Sequence, residues 1–231
     1  MLKNTLINRK AAYTIAKALG KLNSDVVYVG GAVVSLYIDD PSADDVRPTK
    51  DIDISLQITS LVALEELREK LIAKGFHQSH QDQVVCRFRY QDILIDVMST
   101  QAIGWAPANR WFKSGFEQKF EVTIDDVSVY LMPLPYFLAS KFDAFYDRGG
   151  KDPRTSHDFE DITYLLNHTS QITTVIQKSQ KEVQEYLKTS FQQILDSREL
   201  HEAIIGNLFY EDQTTRLALI LDKLQKTVAA L

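Results

Sequence analysis

The stretch Val26–Leu56, VVYVGGAVVSLYIDDPSADDVRPTKDIDISL, constrains this chain more than any other. It reads as a strand, a glycine pair, a buried helix over Ala32–Ile38, a polar loop, and a second strand that opens Asp51-Ile52-Asp53-Ile54. Strand side chains alternate faces, so Asp51 and Asp53 project together while Ile52 and Ile54 enter the core. Two carboxylates on one face repel unless a cation lies between them. Magnesium suits such a pair, because it takes oxygen ligands and is commonly held by one or two carboxylates together with substrate phosphates. Gly30-Gly31 follows a buried strand and opens a helix. A backbone without Cβ can approach a ligand there, and helix N-terminal amides favour phosphate. The pattern implies a phosphate cradle followed by a metal-binding carboxylate pair.

A third acid stands further on. Gln83–Tyr90 and Ile93–Met98 are β-rich runs separated by Gln91-Asp92, which is hairpin spacing without the favoured glycine. Asp96 sits in the apolar run ILIDVM, where an isolated carboxylate is costly unless it finds a cation or a partner. Joining Asp51 and Asp53 as a metal ligand is the favoured reading; a strand-end acid bonded to a nearby lysine or arginine is the alternative. Cys86, the single cysteine, is expected on the first of these strands as a buried, inert thiol. Trp105 and Trp111, among Arg110, Phe112 and Lys113, suit either base stacking or, preferably, the capping of a core edge. Elsewhere the spacing predicts a helix over Leu2–Leu22 stopped near Gly20, a helix over Ser60–Lys74 capped by Ser60, and a hairpin turning at Asp125-Asp126.

After Pro135 the chain reads as helical to its end. Strands followed by helices imply an α+β architecture: a mixed sheet with flanking helices over residues 1–134, then a helical bundle over residues 135–231. Within Tyr136–Leu166, Lys141, Asp143, Arg148, Lys151 and Asp152 gather around a helix–loop–helix corner. Such cations can grip a triphosphate, or they can be surface ion pairs. His157 is expected to make a local hydrogen bond. The net charge of −5 argues against a nucleic-acid coat protein, and one cysteine excludes an internal disulfide or a cysteine-based zinc site. With no membrane-length apolar run and no signal peptide, the default location is cytoplasmic. The acidic loop Asp39–Thr49 reads as a solvated loop, or else as a specificity loop suited to a cationic substrate.

With these residues in view, the chain resembles the nucleotidyltransferase superfamily, whose signature is a glycine pair after a strand, Asp-x-Asp, and a third Asp on a later strand. Gly30-Gly31, Asp51-x-Asp53 and Asp96 match it. Within the superfamily it is most similar to the AbiEii-type nucleotidyltransferases, the toxin half of type IV toxin–antitoxin systems. Lys141-Phe142-Asp143 matches their Lys-x-Asp motif; Arg148, Lys151-Asp152 and Asp158 or Asp161 match the motif that follows. The resemblance implies a polymerase-beta-like catalytic domain and transfer of a nucleoside monophosphate from an NTP to an acceptor. Asp51, Asp53 and Asp96 would hold two Mg2+ ions, or Mn2+, and Gly30, Gly31, Lys141, Asp143, Arg148, Lys151 and Asp152 would contact nucleotide. It further implies tRNA or another RNA as acceptor and a cognate antitoxin protein as partner. The alternatives are a small-molecule (aminoglycoside-type) nucleotidyltransferase and a catalytically degenerate nucleotide-binding protein.

Overall fold

A computed structural model of the chain describes residues 2–148 and 152–231. The chain divides into two compact units, one formed by the segment up to Leu36 together with Asp44–Pro133, the other by Tyr37–Ala43 and Leu134–Leu231.

The first unit is a mixed six-stranded sheet with helices. Helix α1 (Lys3–Leu19) buries Ala12, Ile15, Ala16 and Leu19, and Gly20 ends it at φ +55°, a conformation that glycine adopts without steric cost. Strand β1 (Val26–Val29) is buried along its whole length. A 3-10 turn over Gly31–Leu36 replaces the expected helix. Strand β2 (Asp51–Leu56) sends Ile52 and Ile54 into the core and leaves Asp51 and Asp53 half-buried, as alternation requires. Helix α2 (Leu61–Ala73) is capped by Ser60, whose hydroxyl accepts from the Ala63 amide at 3.1 Å. The remaining elements are β3 (Arg87–Tyr90), β4 (Ile93–Ser99), the short helix α3 (Phe112–Glu117), β5 (Phe120–Ile124) and β6 (Val127–Leu131).

The strand order is β3-β4-β2-β1-β6-β5. β2 runs parallel to β4 and antiparallel to β1, and β1 runs parallel to β6; the two hairpins β3–β4 and β5–β6 close the edges. Both hairpins turn without glycine, so Gln91 and Asp125 themselves take φ of 53° and 54°. β3 is shorter than the run Gln83–Tyr90 suggested. The chain before it folds back, because Asp82 receives two hydrogen bonds from Arg89, at 2.8 and 2.7 Å. Cys86 therefore lies in a turn rather than on the strand, although it is buried as expected. Trp111 is buried and Trp105 donates to Glu65 at 3.0 Å, so both tryptophans finish the edge of the core.

The second unit is helical: α4 (Leu134–Asp147), α5 (His157–His168), α6 (Ile172–Gln177), α7 (Lys181–Asp196), α8 (Arg198–Gly206) and α9 (Gln213–Ala230). Its core is aromatic and aliphatic, with Phe145 against Phe159 at 5.0 Å between centroids and Phe142 against Phe191 at 6.0 Å. Ser156 caps α5 through the Phe159 amide. The strap Tyr37–Ala43 belongs to this unit. Tyr37 stacks on Phe137, Asp39 accepts from Ser170, and Asp40 is bonded to both His168 and Arg216. Asp45 instead accepts from the Asn4 and Thr5 amides in the first unit. The acidic loop is thus stitched down by its acids rather than freely solvated.

Candidate functional site

Register brings the sequence-predicted acids of the sheet together. In β2 and β4, Asp53 lies directly opposite Asp96, and Asp51 stands two residues along the same face of β2. On the other side of Asp96, β3 places Arg87 directly opposite. Arg87, Asp96, Asp53 and Val29 therefore form one row across four strands, ending at the glycine turn.

The row is organised by a cation that motif reasoning did not assign. The Arg87 guanidinium forks onto Asp96, with Nε to Oδ1 and Nη2 to Oδ2 both at 2.7 Å, and Nη2 also reaches Asp51 Oδ2 at 2.9 Å. Paired charged forks of this kind are among the stronger hydrogen bonds in proteins. The Asp96 bonds raise the Arg87 pKa still further above its ordinary value, so the guanidinium stays charged. Burial, with a smaller contribution from Asp96, pushes the Cys86 thiol up to about 11. The alternative weighed for Asp96, a bond to a nearby arginine, is thus realised, and the same arginine bridges Asp51. The signal for Arg87 was present in the hairpin spacing. A two-residue turn pairs Tyr90 with Ile93 and therefore Arg87 with Asp96.

The glycine turn closes the other end of the row. Gly30 has φ +73°, and a Cβ there would lie 1.8 Å from Asp53 Oδ2; one on Gly31 would lie 2.2 Å from Arg47 Nη2. The close approach that the glycines permit is therefore made by an aspartate and an arginine of the chain itself.

Among the described residues no group of three His, Cys, Asp or Glu side chains is arranged to hold a metal ion. The donor chemistry of the row and of Asp51 beside it nevertheless fits one: their carboxylates are the hard oxygen ligands that magnesium takes, and a cationic group already bridges Asp96 and Asp51. The fit is one of chemistry and charge, with the present geometry built around the guanidinium.

In the helical unit, α4 carries Lys141, Asp143 and, just beyond its end, Arg148. Lys141 is buried, with Nζ 2.7 Å from Asp161 Oδ2 and 3.4 Å from Asp158 Oδ1. Arg148 is exposed and reaches Asp158 at 3.2 Å. Asp143 is half-buried on α4. Asp152 caps a 3-10 turn over Pro153–Thr155 and pairs with Arg154 at 2.9 Å. Lys151 lies outside the described residues. His157 makes the expected local contact, to Glu160 at 3.3 Å. No helix among the described residues is long and apolar enough to cross a membrane.

Residues 18–228 match the family model described as "Nucleotidyl transferase AbiEii toxin, Type IV TA system". Among solved structures, the chain is similar to one titled "Crystal structure of an antigenic nucleotidyltransferase-like protein from Paracoccidioides brasiliensis", with 18% sequence identity and a TM-score of 0.49, over 85% of this chain and 92% of that one. No curated protein matches the chain.

Proposed function

We propose, from the premise that this chain belongs to the AbiEii nucleotidyltransferase family, that it transfers a nucleoside monophosphate from an NTP to an RNA acceptor, with tRNA the first candidate. The observation that carries this reading is the register that sets Asp53 beside Asp96 with Asp51 on the same face. Asp51, Asp53 and Asp96 would hold Mg2+, or Mn2+. Bound there, the ions supply charge stabilisation to the attacking and leaving oxygens of an in-line displacement.

The chain's own residues do the rest. Gly30 and Gly31 carry no Cβ between their main-chain amides and a phosphate, which would approach beside the Asp53 carboxylate and the Arg47 guanidinium that pack there now. Lys141, Arg148 and Lys151 carry the positive charge that a triphosphate or departing pyrophosphate needs, as point charges in the lysines and as a fork in the arginine. Asp158 and Asp161 fix Lys141 in place, and Asp143 and Asp152 contact nucleotide or orient these cations. On this reading residues 1–134 form the catalytic domain and residues 135–231 a helical domain. Supply of NTP and a lone thiol suit a cytoplasmic setting, and the family's description supports a cognate antitoxin partner. The aminoglycoside alternative leaned on the acidic loop. Asp39, Asp40 and Asp45 of that loop are bonded within the protein.

The test is to incubate the protein with each labelled NTP, Mg2+ and either total tRNA or an aminoglycoside panel. Label is expected in tRNA, and Asp51→Asn is expected to reduce it to background while the circular dichroism spectrum stays unchanged. Equal labelling by that variant overturns the assignment of Asp51. Labelled aminoglycoside with unlabelled tRNA overturns the acceptor.

A further inference from the structure

Arg87 holds two of the three acids that the proposed function needs, which places a guanidinium where a divalent ion would have to bind. We propose that Arg87 is a displaceable counter-cation: it holds Asp51 and Asp96 in register until a divalent ion exchanges for it.

Three observations carry this. One guanidinium serves both acids, so binding an ion through Asp51 and Asp96 means giving up bonds of 2.7 and 2.9 Å. The Asp51 side of the bridge is reachable from solvent, with the Arg87 side chain 18% exposed and Asp51 29%, while Asp96 beneath it is 11% exposed. β3 is also the sheet's edge strand, and Arg89, two residues along the same face, is fixed by its own fork to Asp82. The strand is thereby anchored by a fork that does not depend on the Arg87 side chain. An arginine in this position cannot leave by losing its proton, because guanidinium stays charged at any ordinary pH. It leaves only when another cation takes over the carboxylates. The intramolecular cation thus keeps like charges together in the absence of metal, and the measured metal affinity is the intrinsic one reduced by the fraction of molecules in which Arg87 has let go.

Because this presupposes the divalent-ion site proposed for these acids, the experiment must separate the two. Mn2+ and Mg2+ are titrated calorimetrically into the full chain, Arg87→Gln and Arg87→Lys, and thermal unfolding is followed with and without Mn2+. Arg87→Gln is expected to bind Mn2+ about tenfold more tightly than the unmodified chain, as for an open fraction near ~10%. Arg87→Lys should fall between them, since a lysine supplies charge without the fork. Without metal, Arg87→Gln should unfold at lower temperature, and Mn2+ should restore it by mass action. Equal affinity in all three proteins overturns the exchange and leaves the metal site standing. Weaker binding by both folded variants also overturns it, making Arg87 a residue that positions the acids. If none of the folded proteins binds either ion, the metal site and the exchange fall together.

Discussion

The two ionic clusters of this protein share a design and differ in depth. In the sheet unit, Arg87 bridges Asp51 and Asp96, with side chains 18%, 29% and 11% exposed. In the helical unit, Lys141 bridges Asp158 and Asp161, with side chains 6%, 11% and 3% exposed. Depth decides what a cation between two acids can do. Near solvent, one cation can be exchanged for another with water covering the intermediate stage. In a buried cluster the same exchange leaves charges out of water, where an unpaired ion costs several kcal/mol. The sheet cluster therefore suits a site whose cation is exchanged, and the helical cluster suits a lysine held in one place.

The largest expected effect tests the buried member. Lys141→Met removes the cation and leaves Asp158 and Asp161 without its charge, a change of the kind that costs about 3–5 kcal/mol. Urea denaturation measures it. Arg87→Gln, in the more accessible cluster and without metal, should cost less, about 2 kcal/mol, as for a lost hydrogen-bonded charge that water can partly replace. If the two substitutions destabilise equally, depth does not separate the clusters and the contrast fails.

A smaller effect sharpens the account of the sheet cluster. Its third acid, Asp53, is placed by backbone approach rather than by burial, since its carboxylate occupies the space where Gly30 lacks a Cβ. Gly30→Ala must accept a positive φ, at about 1–2 kcal/mol, and must push Asp53 aside. Gly31→Ala meets only the far end of the Arg47 side chain and keeps an ordinary φ. Calorimetry should show Mn2+ binding weakened by Gly30→Ala and little changed by Gly31→Ala. The reverse order would mean that Arg47, rather than Asp53, governs the glycine end of the row.

These clusters also show which features could be read from the chain. Period-two spacing in Asp51-Ile52-Asp53-Ile54 and the Ser60 cap are local, and each appears where expected. The change from strands to helices near Pro135 is compositional and was equally visible. Arg87 needed one more step. Its partner follows from counting back from the Gln91-Asp92 turn, but a search for metal ligands looks past cations. The allegiance of Tyr37–Ala43 was beyond reach, because it depends on Asp39 meeting Ser170 and Asp40 meeting His168, each over 120 residues away in sequence. Polar loop composition cannot distinguish acids facing water from acids bonded to distant partners.

The smallest expected effect uses that strap as a third case, lying within the helical unit. Asp40 accepts hydrogen bonds from the Ser42 hydroxyl at 2.6 Å and the Ser42 amide at 2.9 Å, and it is bonded to His168 Nδ1 at 2.9 Å and Arg216 Nη1 at 3.1 Å. The Ser42 hydroxyl, then His168, hold its carboxyl well below the usual carboxylate range. A depressed folded-state pKa stabilises the folded protein above the unfolded pKa of about 4, and that stability is lost as pH falls through the folded value. The stability difference between the unmodified chain and Asp40→Asn should therefore stay constant from pH 7 down to about pH 5 and shrink progressively below about pH 4. At neutral pH it should be about 1 kcal/mol or less, as for a partly exposed ion pair. Urea midpoints measured for both proteins across this range decide the point. A difference that instead stays constant from pH 5 down to about pH 2 would mean that the Asp40 carboxylate does not control the strap.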